Sequence, residues 1–532
     1  MAKIQWWQDG AVYQIYPRSF KDSNDDGIGD IPGIIGKLDY LKELGIGAIW
    51  LSPFYKSPMA DFGYDVADYC DVDPMFGTLA DFDELVNLAH ERGIKMLIDW
   101  VPNHTSDQHA WFQESRQDRT NPKADWYIWR DAKPDGSLPN NWGSMFGDTA
   151  WMWDDQRRQY YFRQFAPEQP DLNWRNPDVK KAMLDVLRFW LMRGVDGFRM
   201  DVVNMIWKHP DMPDQPQIPD IKPRSSTDIY YTQQHLYDQD YEGVHGLMHE
   251  IRQVLEDSVG EEKLMIGEIW LPMERWKEYF GSTDVPEFQL PFNFRLILQD
   301  MPWTAEIVKQ EILLMEENVP PHGFPNYVLN NHDNRRFTTR VGVEHARSAA
   351  MLLLTLRGTP TIYNGEEIEM IDGIIPEDRI VDPMGRVLGP KYNRDVCRTP
   401  FQWDDSAFAG FGNVEPWLPV NPDYPTLNAA AQINQPHSMF TLYQRLLTLR
   451  KQEAAFSIGA LTIVDTQTGV LAYTRTQDSK TYVVVLNFTS EPISVPLPYH
   501  GSIMLDTDLK RAGEIVENEI ALGANEGIIV EV

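Results

Sequence analysis

Apolar residues along this chain recur in two rhythms. Residues 11–16 and the run Ala48-Ile49-Trp50-Leu51-Ser52-Pro53 read as short buried strands, while Leu38, Leu41 and Leu44 between them keep helical spacing. Together they predict one strand–helix–strand unit. The next helix opens with Thr78 and Asp81 in a capping-box arrangement, carries Phe82, Leu85 and Leu88, and stops at Gly93. Lys95–Val101 then reads as a third strand. A further helix begins at Asn176-Pro177, a favoured cap and first position, ends at Gly194, and delivers the chain into a fourth strand, Gly197–Asp201. Later strand candidates are Leu264–Trp270, Phe288–Phe294, Asn326–Asn331 and Thr359–Asn364.

Eight strands separated by helix-length segments predict an α/β fold, a closed (β/α)8 TIM barrel with its site at the carboxyl ends of the strands. An open doubly wound sheet gives the same alternation, but no Gly-rich phosphate loop opens a helix here. Two segments break the rhythm. Residues 105–175 are rich in Trp, Asp, Pro and Asn with little periodicity, too long for an ordinary loop, and predict an excursion domain over the barrel mouth. The barrel is then made of residues 1–104 and 176–454. From 455 to 532 the pattern becomes β alternation with turn residues between, which predicts a carboxyl-terminal antiparallel β-sandwich. The stretch 371–421, crowded with Pro, Gly, Asp and Arg, reads as a long eighth loop.

Composition narrows what such a barrel handles. The 532 residues suffice for a large core with attachments, and the formal net charge of −31 argues against nucleic acid or an anionic membrane as partner. A neutral substrate or a cation fits better. The 18 Trp offer stacking faces for sugar rings, although most aromatics in any chain are core. Cys70 and Cys397 are too few for a disulfide framework and wrongly spaced for zinc. Residues 1–10 lack a basic stretch followed by an apolar run, and nothing later is long enough to cross a bilayer, so a cytoplasmic location is expected.

Three acids close predicted strands: Asp201 the fourth, Glu268 the fifth and Asp333 the seventh. Singly, each has the plainer reading of a cap or an arginine partner. On one rim they suit glycosidic bond cleavage, which requires one carboxylate as nucleophile and another carrying a proton for the leaving oxygen. Arg199, on the same strand face as Asp201, is expected to keep that acid ionised, and Ile266 and Trp270 are expected to raise the pKa of Glu268.

Asp99-Trp100-Val101-Pro102-Asn103-His104 and the segments around Asp201, Glu268 and Asp333 resemble the shared regions of the α-amylase superfamily, glycoside hydrolase family 13. The resemblance covers nearly the whole chain. It implies Asp201 as nucleophile, Glu268 as general acid/base and Asp333 as the acid that stabilises the distorted sugar. Gln169-Pro170-Asp171-Leu172-Asn173 is similar to the region that marks the oligo-1,6-glucosidase and α-glucosidase branch. In that branch one glucose is held in a blind pocket, and the matching positions are Asp61, Tyr64, His104, Phe146, Phe165, Arg199, His332 and Arg398. Val202 resembles members that prefer α-1,6 links, while a β-branched residue there also suits a strand; Asp378–Pro383 of the eighth loop looks more like other α-glucosidase subgroups. The resemblance further implies a structural Ca²⁺ or Mg²⁺ held by Asp22, Asn24, Asp26, the Ile28 carbonyl and Asp30, whereas the residues alone favour an Asp/Asn/Gly turn.

The expectation is a retaining exo-α-glucosidase acting on short α-glucoside oligosaccharides, α-1,6 links somewhat favoured over α-1,4. Two alternatives stand beside it. A sucrose isomerase or trehalose synthase uses the same acids for transfer, but the Arg-Leu-Asp-Arg-Asp stretch of sucrose isomerases is absent. A non-catalytic transporter heavy chain carries a membrane anchor and broken catalytic positions, and this chain shows neither pattern.

Overall fold

The computed structural model describes residues 4–223 and 225–532; the first three residues of the amino-terminal stretch lie outside it. Eight parallel strands form one sheet: β1 (Val12–Ile15), β2 (Ala48–Leu51), β3 (Lys95–Trp100), β4 (Gly197–Met200), β5 (Leu264–Gly267), β6 (Leu290–Pro291), β7 (Asn326–Val328) and β8 (Thr359–Tyr363). Their order is β6-β5-β4-β3-β2-β1-β8-β7, so β1 pairs with both β2 and β8 and the sheet curls into a TIM barrel. The seam lies between β6 and β7. Both are shorter than the sequence predicts, for physical reasons. Pro291 has no N–H to offer a neighbouring strand, and beyond it only Phe292 N still reaches β5, at the Gly267 carbonyl, 2.8 Å away. Past Val328 the side chains of Asn330 and Asn331 accept the amides of Phe337, Asp333 and Asn334, which turns the chain.

Alternation along the strands sorts two cores. Val12, Ala48, Trp50, Leu97, Leu264, Ile266, Leu290 and Val328 fill the barrel. Their neighbours Tyr13, Ile49, Met96, Ile98, Phe198 and Met265 face outward into the larger core beneath the helices. Gly197 is required at the foot of β4, where a Cβ would lie 2.3 Å from the Leu264 carbonyl oxygen and 2.8 Å from Leu97. Continuing the inward rows upward reaches Gln14, Asp99, Arg199, Asp201 and Glu268. Each of these rows is thus apolar low in the barrel and polar at its carboxyl end.

The principal helices, Leu79–Glu91, Pro177–Met192, Val244–Glu256, Ala305–Asn318, Ala346–Thr355 and Met439–Gln452, follow strands β2, β3, β4, β6, β7 and β8. The Thr78–Asp81 capping box is present, with Asp81 N to Thr78 Oγ1 at 3.2 Å and Thr78 N to Asp81 Oδ2 at 2.8 Å. Between β3 and β4, strands Trp129–Arg130, Gln159–Phe162 and Trp151–Asp154 form a small antiparallel sheet. The carboxyl-terminal strands β9 (Ala460–Val464), β10 (Val470–Gln477), β11 (Lys480–Asn487), β12 (Ile493–Asp506), β13 (Ile515–Leu522) and β14 (Gly527–Glu531) make one six-stranded antiparallel sheet. Its Leu471, Tyr473, Val484 and Ile529 join the barrel's outer core, while Val470, Val483, Val495, Val516 and Val530 enclose a core of their own. Among the described residues no helix is long and apolar enough to cross a membrane.

Candidate active site

At the carboxyl end of the barrel a cavity of about 260 Å³ is lined by Asp61 and Tyr64 from the loop after β2, His104 after β3, Asp201 and Val202 after β4, Glu268 and Trp270 after β5, and Asp333 after β7. Met145, Phe146 and Phe165 close one side from the excursion, and Met384, Tyr392 and Arg394 close another from the eighth loop. The three acids expected to do chemistry therefore face one space. A neighbouring cavity of about 210 Å³, between the loops after β5 and β6, shares Trp270 but none of the acids.

Arg199, 1% exposed, is the electrostatic centre of the floor. Its Nη1 donates to Asp99 Oδ1 at 2.6 Å and Asp201 Oδ1 at 2.8 Å, and its Nη2 donates to Glu268 Oε2. One cation thus serves three buried carboxyls, so its charge is not reserved for Asp201 as the sequence expectation had it. Burial, first, and the neighbouring Glu268 and Asp99 charges push the Asp201 carboxyl well above the usual range, outweighing the pull of Arg199. A hydrogen bond shared with Glu268 adds to the same upward push on Asp201. Asp99 is pushed up to about 6, again chiefly by burial. Trp270, expected as an apolar flank for Glu268, instead donates its indole N–H to Glu268 Oε1 at 2.8 Å, its ring stacked on Phe294.

Asp333 belongs to a different electrostatic environment. Arg398 Nη2 reaches its Oδ1 at 2.8 Å and Arg394 Nη1 at 3.2 Å. Burial opposes ionisation, but the positive groups around it hold the Asp333 carboxyl below the ordinary range. His332, 3.2 Å from Asp333 Oδ2, counts among these only when protonated. Burial, assisted by the nearby arginines, drives His332 itself to about 3, so at neutral pH the arginines carry the effect. Gln14 Nε2 donates to His332 Nδ1 at 2.7 Å, which leaves the proton on Nε2, facing Asp333 and the Tyr64 hydroxyl at 2.7 Å. His104 is likewise held neutral, its pKa pushed by burial to about 3.

The expected pocket residues divide into two sets. Asp61, Tyr64, His104, Phe146, Phe165 and Val202 line the cavity. Arg199, His332 and Arg398 stand behind it and hold the acids in place. Arg394, which the sequence reading passed over, is the arginine on the cavity wall; it bridges Asp61 Oδ1 at 2.6 Å, Asp382 Oδ1 at 2.7 Å and Asp333. Its signal was present as a second arginine four residues before Arg398. Val202 does not extend β4, which ends at Met200; it adopts φ 37°, ψ 42°. That left-handed conformation is rare for a β-branched side chain and costs about 1–3 kcal/mol. It turns the isopropyl group into an apolar cluster with Phe146, Phe165, Met145 and Met384.

In the 22–30 loop, Asp22 is 1% exposed and takes the amides of Asn24, Asp25 and Gly27 at 2.8–3.1 Å. Asp30 takes the Ser23 amide and caps the helix beginning at Ile31. Gly27 supplies the turn at φ +85°. Among the described residues no three His, Cys, Asp or Glu side chains converge on a point where a metal ion would sit. Asp22 Oδ2, Asn24 Oδ1, Asp26 Oδ1 and Asp30 Oδ1 each accept a backbone amide and are oxygen donors of the kind a hard cation takes.

The sequence profile of the alpha amylase catalytic domain matches residues 14–459, and that of the beta-galactosidase C-terminal domain matches residues 469–528. An oligo-1,6-glucosidase of Parageobacillus thermoglucosidasius is 40% identical over 535 residues, 93% of this chain and 92% of that protein. Among solved structures, the alpha-glucosyl transfer enzyme XgtA superposes with a TM-score of 0.92 at 38% identity, over 99% of this chain and 100% of that one. A trehalulose synthase of Pseudomonas mesoacidophila superposes at 0.91 with 36% identity, over 99% and 100%.

Proposed function

The chain belongs to the α-amylase family of glycoside hydrolases, and from that premise we propose that it is a retaining, exo-acting α-glucosidase that releases α-glucose from short α-glucosides, α-1,6 links favoured over α-1,4. The observation that supports this reading is that Asp201 and Glu268 both accept from the one Arg199 guanidinium and both line the same cavity. Two carboxyls held on one guanidinium suit the spacing of about 5–5.5 Å that a retaining enzyme uses, not the ~6.5–9.5 Å that an inverting enzyme leaves for a water. The pair brings a proton and a nucleophile to the same bond.

In the first step an Asp201 oxygen attacks the anomeric carbon, the glycosidic bond breaks, and Glu268 gives its proton to the departing oxygen. In the second, Glu268 takes a proton from water, whose oxygen displaces Asp201 and leaves glucose with its original α configuration. Asp333, kept ionised by Arg394 and Arg398, accepts hydroxyl hydrogens of the distorted ring. Asp61 and Arg394, locked together at 2.6 Å, close the far end and restrict binding to a terminal glucose. Phe146, Phe165 and Val202 provide the apolar wall near the leaving group. We further propose that Asp22, Asn24, Asp26, Ile28 and Asp30 hold a structural Ca²⁺ or Mg²⁺.

A second reading, glucosyl transfer to a sugar or another alcohol in place of water, is favoured by the likeness to XgtA and to the trehalulose synthase. One assay separates the two. The protein is incubated with isomaltose, maltose, sucrose and trehalose in turn, and products and the anomer first released are followed by NMR. Rapid α-glucose from isomaltose supports the hydrolase. Isomerised disaccharide or lengthened products without free glucose would replace it with transfer, and first-formed β-glucose would sink the retaining mechanism.

A further inference from the structure

Behind the cavity wall a lysine is closed inside the protein. Lys208, 5% exposed, lies on the loop after β4. Its ammonium group donates to the Met205 carbonyl at 2.6 Å, Asn103 Oδ1 at 2.9 Å and Asp171 Oδ2 at 2.7 Å. Three N–H bonds meet three acceptors, which is what a buried ammonium group requires. Asp171, 0% exposed, also takes Asn103 Nδ2 at 2.9 Å and the Gln164 amide at 2.8 Å. The partners come from the end of β3, the return of the excursion and the turn after β4, so this ion pair ties three separate segments together.

Two of those segments hold His104. Asn103 Nδ2 lies 3.2 Å from His104 Nδ1, and Gln169 Nε2, two residues before Asp171, lies 3.1 Å from His104 Nε2 and 3.2 Å from Asp61 Oδ2. His104 lines the cavity that the glucosidase reading assigns to the terminal glucose; Lys208 itself does not. We propose that Lys208 is a positioning residue that, through Asn103 and Asp171, sets the orientation of His104 against the sugar. The inference rests on that reading of the cavity. The compact ammonium group is the group that fits: three acceptors converge on one nitrogen, whereas the planar fork of an arginine spreads its donors apart.

A double-mutant cycle tests it. Lys208→Met and Asn103→Ala are each made in the wild type and in His104→Ala, and kcat, KM and the calorimetric Kd for glucose are measured for every protein. In the wild-type background each substitution is expected to lower kcat/KM about 10²-fold, mostly through KM, and to weaken glucose binding in parallel. In His104→Ala the same substitutions are expected to cost less than about threefold, because the residue they act through is gone. Equal losses in both backgrounds would overturn the proposal and leave Lys208 a general support of the fold. Should Lys208→Met not fold, Lys208→Arg, which keeps the charge but spreads its donors, takes its place in the cycle. A wild-type protein that cleaves no α-glucoside refutes the functional reading separately, and the glucose Kd values still read the coupling.

Discussion

Arg394 offers the most demanding test of the site's electrostatics. Its guanidinium is shared by Asp61 (4% exposed), Asp382 (0%) and Asp333, and lies over Phe146 with Cζ 5.3 Å from the ring centre. Arg394→Met keeps an unbranched apolar stem and removes the charge. Two fully buried carboxylates then lose their counter-ion, and breaking such a pair from one side costs about 3–5 kcal/mol. The pH dependence has a definite sign. Burial already holds Asp61 above its ordinary pKa, with Arg394 the largest opposing influence, so the substitution raises it further. A carboxyl whose folded pKa lies above its unfolded value of about 3.9 loses stability as pH rises between the two. Asp333 is shifted the other way in the wild type, contributing stability above its unfolded pKa that disappears as pH falls through the folded one, and it loses part of that contribution. Urea unfolding of wild type and Arg394→Met is therefore expected to show the full deficit at pH 7 and a much smaller one at pH 4. A deficit under about 1 kcal/mol at pH 7, the value of an exposed ion pair, would refute the reasoning, as would one that does not change with pH.

Asp201→Asn is expected to leave the fold intact by circular dichroism and to lower kcat by about 10⁴-fold or more; retained turnover would remove its nucleophile role. Val202→Thr keeps the branched shape but places a hydroxyl in the apolar cluster beside the leaving group, and the ratio of kcat/KM for isomaltose over maltose is expected to fall about 10-fold. An unchanged ratio would detach linkage preference from this position. If the 22–30 loop holds a cation, chelator should lower the melting temperature and added Ca²⁺ or Mg²⁺ should restore it, while Asp22→Asn should abolish that response. A chelator response that persists in Asp22→Asn would place the cation elsewhere.

The barrel was legible because its determinants are local. Buried strands such as Ala48–Leu51 and capped helices such as the one opened by Thr78 and Asp81 announce themselves within a dozen residues. Strand ends were less so, since Pro291 and the Asn330–Asn331 turn shorten β6 and β7 through single hydrogen-bonding groups. The three acids could be placed on one rim from their positions after strands. What Arg199 does could not be read in the same way: its spacing from Asp201 is visible, but the other two carboxyls that claim its charge arrive from positions 99 and 268, and only folding shows the competition. Arg394 was passed over because the eighth loop has no periodicity to say which of its arginines turns inward. The conformation of Val202 was likewise invisible, since a valine after a strand gives no sign of a left-handed backbone.

The shared charge of Arg199 bears directly on how the proposed reaction begins. If Asp99, Asp201 and Glu268 were all ionised around one guanidinium, a buried cluster would carry two uncompensated negative charges, and the shifts of Asp99 to about 6 and of Asp201 well upward express that cost. Both shifts favour a proton held within the cluster, without any single residue owning it. Retaining cleavage needs that proton on Glu268 and the negative charge on Asp201. An anomeric carbon developing positive charge beside Asp201 favours the ionised form there, and a glycosidic oxygen beside Glu268 gives the proton an acceptor, so substrate itself sorts the pair. It follows that the pKa values seen in a kcat/KM profile, which report the free protein, belong to the cluster. Asp99→Asn, which removes one competing carboxylate while leaving both reacting acids in place, should move them downward.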